Sequence, residues 1–257
     1  MKDFYRIAAP FYDADYASLR GDADVSFYVN LAKESGGPVL EMGCGTGRIL
    51  LPTAREGIRI HGIDFSPDML AQLASKLADE PAEVRERVTY SVGDIRTADA
   101  GSKFALVTAP FRVAQLLLTR DDQRAWLRNV RRHLTAGGAL CFDVFQPNFS
   151  YLAAPRGPEV EADRVDPGSG RRTRRIARIT PRNELQVIDI EFRWIVEEES
   201  GTTETGGNLR LRWFTRGELE NLLELEGFEI TGYWGSFARD PFREGSTEQI
   251  VLAVAKP

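Results

Sequence analysis

Between residues 38 and 145 the chain alternates short apolar runs with helix-period segments, and glycine-rich turns separate them. That alternation constrains the fold more than any other feature. Residues 38–42, Pro-Val-Leu-Glu-Met, form an apolar run ending in glycines, which suits a strand buried in a parallel sheet. A helix is expected over about 47–55, with Gly57 just past its end. Residues 58–64 read as a second strand. Ser66-Pro67-Asp68 opens a helix to about residue 78. The serine can cap it, the proline suits its first position, and the aspartate faces the positive end of its dipole. Residues 88–92 and 104–108 read as strands three and four, and 121–134 as a helix. Ala136-Gly137-Gly138 then turns into strand five at 139–145. Strands and helices in this order give a parallel sheet covered on both faces. Such sheets bind ligands beyond the carboxyl ends of their strands, where the strand order switches direction.

The alternation breaks after residue 145. Pro147, Pro155, Pro158 and Pro167 with Gly157, Gly168 and Gly170 mark a loop-rich stretch, followed by three strand candidates of period two. The clearest places Ile188, Ile190, Phe192, Trp194 and Val196 on one face and Asp189, Glu191 and Arg193 on the other. This is the pattern of an antiparallel sheet with one face covered. Residues 172–180 and 205–213 are its expected partners. Thr215-Arg216-Gly217-Glu218 has the form of a capping box and opens a helix that Gly227 ends. Two more strands are expected, at 228–234 and 250–255.

Composition narrows the classes. A chain of 257 residues holds one large α/β domain, or one with a sizeable insertion. No apolar run approaches the ~18 residues of a membrane span. The first residues lack the continuous apolar core of a secretory signal. Cys44 and Cys141 read as two buried free thiols in a reducing compartment, so a cytoplasmic protein is expected. With two histidines no metal centre is expected. The formal net charge of −5 offers no global positive field for nucleic acid.

The most informative segment is Glu41-Met42-Gly43-Cys44-Gly45-Thr46-Gly47-Arg48. Glycines at 43, 45 and 47 between a strand and a helix start allow tight turning and close approach of a ligand. The dinucleotide fingerprint needs a glycine where Arg48 stands, and Glu41 would repel a pyrophosphate, so a neutral or cationic ligand is preferred. Asp64, ending the second strand, can accept both hydroxyls of a ribose, or it can serve the turn before Ser66. Asp94, after strand three, can accept an adenine amine, or it too can be a turn residue. Three such features at the ends of strands one, two and three are far more specific together than singly.

Glu41-Met-Gly-Cys-Gly-Thr-Gly-Arg48, then His61-Gly-Ile-Asp-Phe-Ser-Pro-Asp-Met-Leu70, then Val92-Gly-Asp-Ile-Arg96, then the strand-turn over 132–145 resemble the class I S-adenosylmethionine-dependent methyltransferases. The likeness is close over 37–145 and fair over 213–257. The N-terminal tyrosines and the insertion after strand five are similar to a small-molecule subgroup that includes sugar-amine and glycine N-methyltransferases.

The resemblance implies an α/β fold: a Rossmann-like seven-stranded, mostly parallel sheet with helices on both faces, its last strand antiparallel. An inserted antiparallel β layer follows strand five. It implies an N-terminal cap and helix over 1–36 and a cofactor-binding domain over 37–146 and 213–257. Residues 147–212 are then a substrate or lid subdomain. It also implies S-adenosylmethionine as cofactor. Glu41, Gly43, Cys44 and Gly45 would line the methionyl and sulfonium part, and Asp64 the ribose, with Phe65 against adenine. Asp94 would meet the adenine amine beside Ile95, Ala109 would sit near the methyl group, and Tyr12 would approach the cofactor carboxylate. The run Ala109-Pro110-Phe111-Arg112 departs from the small polar residues common there.

The expected partner is a small-molecule acceptor, with no nucleic acid and no membrane, in a monomer or homodimer. A neutral amine needs little beyond an aligned lone pair, whereas an oxygen acceptor needs a base. A base would come from Tyr5, Tyr12 or Asp143, and nitrogen, or an already acidic oxygen, is favoured. His61 and His133 read as structural. Arg171, Arg172, Arg174, Arg175, Arg178 and Arg182 either bind a phosphate or nucleic acid, or pair with the many acids of the insertion, and pairing is favoured. A nucleic-acid methyltransferase and a non-catalytic cofactor-binding module are the alternatives.

Overall fold

The computed structural model describes residues 2–166 and 168–256. Helices Lys2–Ala8 (α1), Tyr12–Arg20 (α2) and Ala23–Ser35 (α3) precede the first strand, Val39–Met42 (β1). The alternation then runs Leu50–Arg55 (α4), Ile60–Asp64 (β2), Pro67–Ala78 (α5), Ala82–Arg85 (α6), Val88–Val92 (β3), Phe104–Ala109 (β4), Arg120–His133 (α7) and Leu134–Phe145 (β5). Phe149–Leu152 (α8) leads into Arg156–Val165 (β6), Arg172–Arg182 (β7), Val187–Glu198 (β8) and Gly201–Arg212 (β9). Arg216–Leu225 (α9), Phe228–Trp234 (β10) and Glu248–Ala255 (β11) follow.

These elements form two compact units, Asp22–Pro147 with Trp213–Pro257, and Met1–Gly21 with Asn148–Arg212. The first holds the seven-stranded sheet, ordered β10-β11-β5-β4-β1-β2-β3. β11 runs antiparallel to both of its neighbours, and β1 to β5 pair in parallel. Successive side chains face opposite ways. Leu40, Met42, Val107, Leu140, Phe142 and Val144 therefore join the core under α7 and α9, with Trp126, Leu127 and Leu219. Val39, Leu106, Cys141 and Ile250 join the opposite core, with Phe27 and Tyr28 of α3 and Leu50, Leu70 and Leu73 of α4 and α5. Strand order reverses between β4 and β1, which sets the switch point there.

The caps are the ones the side chains call for. Ser66 Oγ accepts from Met69 N–H at 3.4 Å, Thr119 Oγ1 from Asp122 N–H at 3.2 Å, and Thr215 with Glu218 closes a capping box on α9. Helix α4 begins at Leu50, later than expected, because Gly47 has φ +80° and cannot continue a right-handed helix. The Ala136-Gly137-Gly138 turn is absorbed as a bulge in β5: Phe104 pairs with Leu134 and Leu106 with Ala139.

The second unit is a four-stranded antiparallel sheet, ordered β6-β7-β8-β9. Ile188, Ile190, Phe192, Trp194 and Val196 of β8 are all buried, as their period predicts. Strand β6 stands where the sequence reads as loop. Its Pro158 is tolerated because β6 is an edge strand, and its pairing with β7 shifts register twice. Helices α1 and α2 belong to the four-stranded unit and α3 to the seven-stranded one. Phe4 of α1 packs on Phe192 and Trp194 of the four-stranded sheet at 5.4 and 6.1 Å between ring centroids, whereas α3 packs on the seven-stranded one.

Candidate active site

At the end of β1 the chain turns through Gly43, Gly45 and Gly47, at φ +77°, +53° and +80°. Side chains make this conformation costly, so glycine is required twice over at two of these positions. A Cβ at Gly43 would stand 2.4 Å from Val113 Cγ2, and one at Gly47 2.4 Å from Leu73 Cδ1. Hydrogen bonds pin the turn: Gly43 and Cys44 donate N–H to Ile63 O at 2.7 and 3.2 Å, and Gly45 donates to Asp64 Oδ2 at 2.9 Å. Arg48 is drawn into an ion pair with buried Asp24 of α3, and its guanidinium lies 5.1 Å from the Phe111 ring centre.

Glu41 is buried at the carboxyl end of β1, in register with Thr108 of β4. Glu41 Oε2 and Thr108 Oγ1 are both buried without a hydrogen-bond partner among the described residues. Burial pushes the Glu41 carboxyl up to about 8, with Arg48 pulling it down and Asp64 adding to the rise. Two orphaned polar atoms on adjacent strands at the switch point mark a place where a polar ligand completes the structure. Thr108 was not singled out by the sequence, because a threonine inside an apolar strand resembles any other strand residue.

Asp64, nearly buried, ends β2. Its Oδ2 accepts from Gly45 and its Oδ1 from Ser66 N–H at 2.8 Å. Burial raises its carboxyl, and the N–H groups of Ser66, Gly45 and Phe65 pull it back. It thus serves the turn while its remaining lone pairs stay able to accept a diol. Asp94 follows β3, partly exposed, with Arg96 folded onto both of its oxygens and reaching on to Asp122. Phe65 and Ile95 are half-buried beside them, and Ala109 is fully buried at the end of β4. Glu41, Gly43, Cys44, Gly45, Asp64, Phe65, Asp94, Ile95 and Ala109 thus all stand at the ends of β1 to β4 in one unit.

Asp143, expected as a candidate base, is fully buried in β5, where Tyr28 Oη donates to its Oδ1 at 2.7 Å. Phe111 N–H donates to the same oxygen at 2.7 Å, and Arg112 N–H to Oδ2 at 3.3 Å. A carboxylate shut off from solvent and holding three donors is arranged to hold structure, not to take protons from an acceptor.

Tyr5 and Tyr12 belong to the other unit. Tyr5 lies edge-on to Phe4 at 5.1 Å, and Tyr12 to Tyr16 at 4.7 Å. Each arginine of the insertion cluster has a carboxylate within 4.0 Å: Arg171 with Glu198, Arg172 with Asp163, Arg174 with Glu197, Arg175 with Glu161, Arg178 with Glu191, and Arg182 with Asp189. The histidines do structural work. His61 bonds Thr89 and Ser91 across β2 and β3, and buried His133 bonds Asn129 O and Ala100 N–H. Among the described residues no group of three His, Cys, Asp or Glu is placed to hold a metal ion, and no helix is long and apolar enough to cross a membrane.

A parallel sheet with one antiparallel strand, a glycine turn after β1 and acids at the carboxyl ends of β1, β2 and β3 define a site for a nucleoside-type ligand at the switch point. Residues 40–140 match the family described as methyltransferase domain. The cypemycin N-terminal methyltransferase of a Streptomyces species is 30% identical over 217 residues, covering 84% of this chain and 82% of that protein. The CcbJ methyltransferase of Streptomyces caelestis superposes with a TM-score of 0.81 at 26% identity, covering 99% of this chain and 98% of that one. CalS10 of Micromonospora echinaspora, an amino pentose methyltransferase solved with S-adenosylmethionine bound, superposes with a TM-score of 0.70 at 25% identity, over 95% and 96% of the two chains. The chain belongs to the S-adenosylmethionine-dependent methyltransferases. Its cofactor is S-adenosylmethionine, and the site fits that group: an orphaned carboxyl oxygen at Glu41 suits a cation, and Asp64 suits a diol.

Proposed function

We propose that the chain methylates an amine nitrogen of a small molecule, with an amino sugar as the leading acceptor. The observation that carries this is the setting of Asp143. The strand-end carboxylate of the seven-stranded unit best placed by sequence to act as a base is committed to Tyr28 and to backbone N–H groups. A neutral amine needs no base to attack. An alcohol does. Two relatives, an N-terminal methyltransferase and an amino pentose methyltransferase, support the same reading.

When bound, the cofactor supplies an electrophilic methyl carbon on a sulfonium. Glu41 with the backbone of Gly43, Cys44 and Gly45 holds the methionyl end. Asp64 holds the ribose, Asp94 the adenine amine, and Phe65 and Ile95 flank the base. Ala109, small and buried, leaves room beside the methyl group. The protein's part is alignment and exclusion of water. Tyr12 and Tyr5 are proposed as further contributors, Tyr12 to cofactor affinity and Tyr5 to turnover. The buried free thiols Cys44 and Cys141 support a reducing, cytoplasmic setting.

The test is a set of acceptor pairs differing in one atom, an amino sugar against its hydroxyl parent and a peptide with free against acetylated amino terminus. Each is incubated with deuteromethyl-labelled cofactor and read by mass spectrometry. Label is expected on the amine member of a pair. Equal labelling of the hydroxyl parent would contradict the proposal.

A further inference from the structure

Phe111 and Arg112, directly after β4, have φ +60° and +66°. Two successive left-handed residues, neither of them glycine, asparagine or aspartate, persist where surrounding groups over-determine them. Asp143 accepts the N–H of both residues, at 2.7 and 3.3 Å. Tyr28 Oη, from α3, donates to the same carboxylate at 2.7 Å. The side chains are held as well: Arg112 stands 3.6 Å from Glu248 and 5.2 Å from the Phe145 ring centre, and Phe111 lies beside Arg48. Gln115 N–H closes the following turn on Arg112 O at 2.9 Å. The next residue, Val113, occupies the space Gly43 leaves open. One connected path thus runs from α3 through β5 to the loop after β4 and on to the glycine turn.

We infer that Asp143 and Tyr28 are positioning residues, which hold the Phe111–Arg112 backbone in the strained form that the methyl-transfer site uses. The inference rests on the methyltransferase reading for its effect on turnover, and its effect on the loop is independent of any acceptor. The carboxylate does this because it can accept three bonds at once. An amide in its place has one acceptor oxygen and turns a donor toward one of the loop N–H groups. Tyr28→Phe is the milder change, removing one donor and keeping the ring in the core.

The experiment uses the full chain in Tyr28→Phe, Asp143→Asn, Arg112→Gly and the Asp143→Asn/Arg112→Gly double variant. Three readouts are taken: hydrogen exchange over 110–117, affinity for S-adenosylhomocysteine by calorimetry, and kcat on the amine acceptor found above. Exchange over 110–113 is expected to rise about tenfold or more in Asp143→Asn and less in Tyr28→Phe, since local opening governs it. kcat should fall about tenfold and about threefold respectively, with product affinity and acceptor KM within about twofold of wild type, the split that marks an effect on the reacting geometry. Glycine adopts φ > 0 unaided, so Asp143→Asn should lower kcat less in the Arg112→Gly background than in wild type.

Unchanged exchange in both Asp143→Asn and Tyr28→Phe would overturn the inference. So would faster exchange with unchanged kcat, or the same fold-loss in both backgrounds. Loss of product affinity in step with kcat would also overturn it, because the carboxylate would then serve the whole fold. If no acceptor pair is labelled, the methyltransferase proposal for amines fails, and exchange with product affinity still decides the loop.

Discussion

Gly43→Ala tests whether the glycine turn is set by packing as well as by backbone freedom. Two costs follow from the structure. Alanine at φ +77° carries the left-handed penalty of about 1–2 kcal/mol. Its methyl would also lie 2.4 Å from Val113 Cγ2 and 3.1 Å from Cγ1. Unstrained carbon contacts lie at about 3.5–4.0 Å, so something must shift, at about 1–3 kcal/mol. Val113 is buried and directly follows the Phe111–Arg112 pair, which leaves it little freedom to give way. The sum is about 2–5 kcal/mol. Gly57→Ala is the internal control: Gly57 has φ +88° and nothing within 4 Å of its added Cβ, so it carries the backbone cost alone. Val113→Ala in the Gly43→Ala background removes the clashing methyls and should return the packing part. Urea unfolding of the three variants, with cofactor affinity by calorimetry, separates the terms. Gly43→Ala should be less stable than Gly57→Ala by about 1–3 kcal/mol and should bind cofactor more weakly. Equal destabilisation of the two, or no relief from Val113→Ala, would refute the packing argument.

Three further outcomes are expected. Burial holds the Glu41 carboxyl up at about 8, above its ordinary value, so the folded protein binds that proton more tightly than the unfolded chain. The stability this contributes is present in acid and is lost as pH rises toward about 8. Melting temperature of the ligand-free protein should therefore fall across that window, and Glu41→Gln should flatten the slope; an unchanged slope would remove Glu41 as its source. In the other unit, Asp15 is buried and accepts from Trp194 Nε1 at 2.8 Å and from Arg164, with Arg175 at 3.6 Å. Asp15→Ala should cost about 3 kcal/mol, the low end for breaking a buried pair, because Arg175 keeps Glu161; a loss under about 1 kcal/mol in denaturant unfolding would argue against this. Tyr12→Phe should weaken cofactor binding by about 0.5–1.5 kcal/mol, one hydrogen bond, and calorimetry showing equal affinity would take Tyr12 out of the cofactor's reach.

The sheet was legible because its signals are local: apolar runs ending in glycine, and caps such as Ser66 and Thr215 that need no distant partner. The period of β8 was as plain, since a half-covered strand writes its burial in every second residue. β6 was hidden by Pro158 and Gly157, which read as loop until an edge position makes them acceptable. Among site residues, Glu41, Gly43, Asp64 and Asp94 share strand ends, and the sequence shows strand ends. Asp24 and Tyr28 matter through partners far along the chain, as when Tyr28 meets Asp143 across 115 positions, and Thr108 reads like any other residue of an apolar strand. No spacing encodes such a pair. Asp143 shows the same limit: its type is visible in the sequence and its three donors are not.

The carboxylates at the ends of β1 and β2 are proposed to hold the cofactor. Calorimetric titration of S-adenosylmethionine into wild type and Asp64→Ala tests this most directly. Saturable one-to-one binding to wild type, weakened in the variant by about 1.5–3 kcal/mol as for loss of a charged acceptor, is the predicted result. Equal affinity in the two proteins, or no heat with wild type, would contradict it.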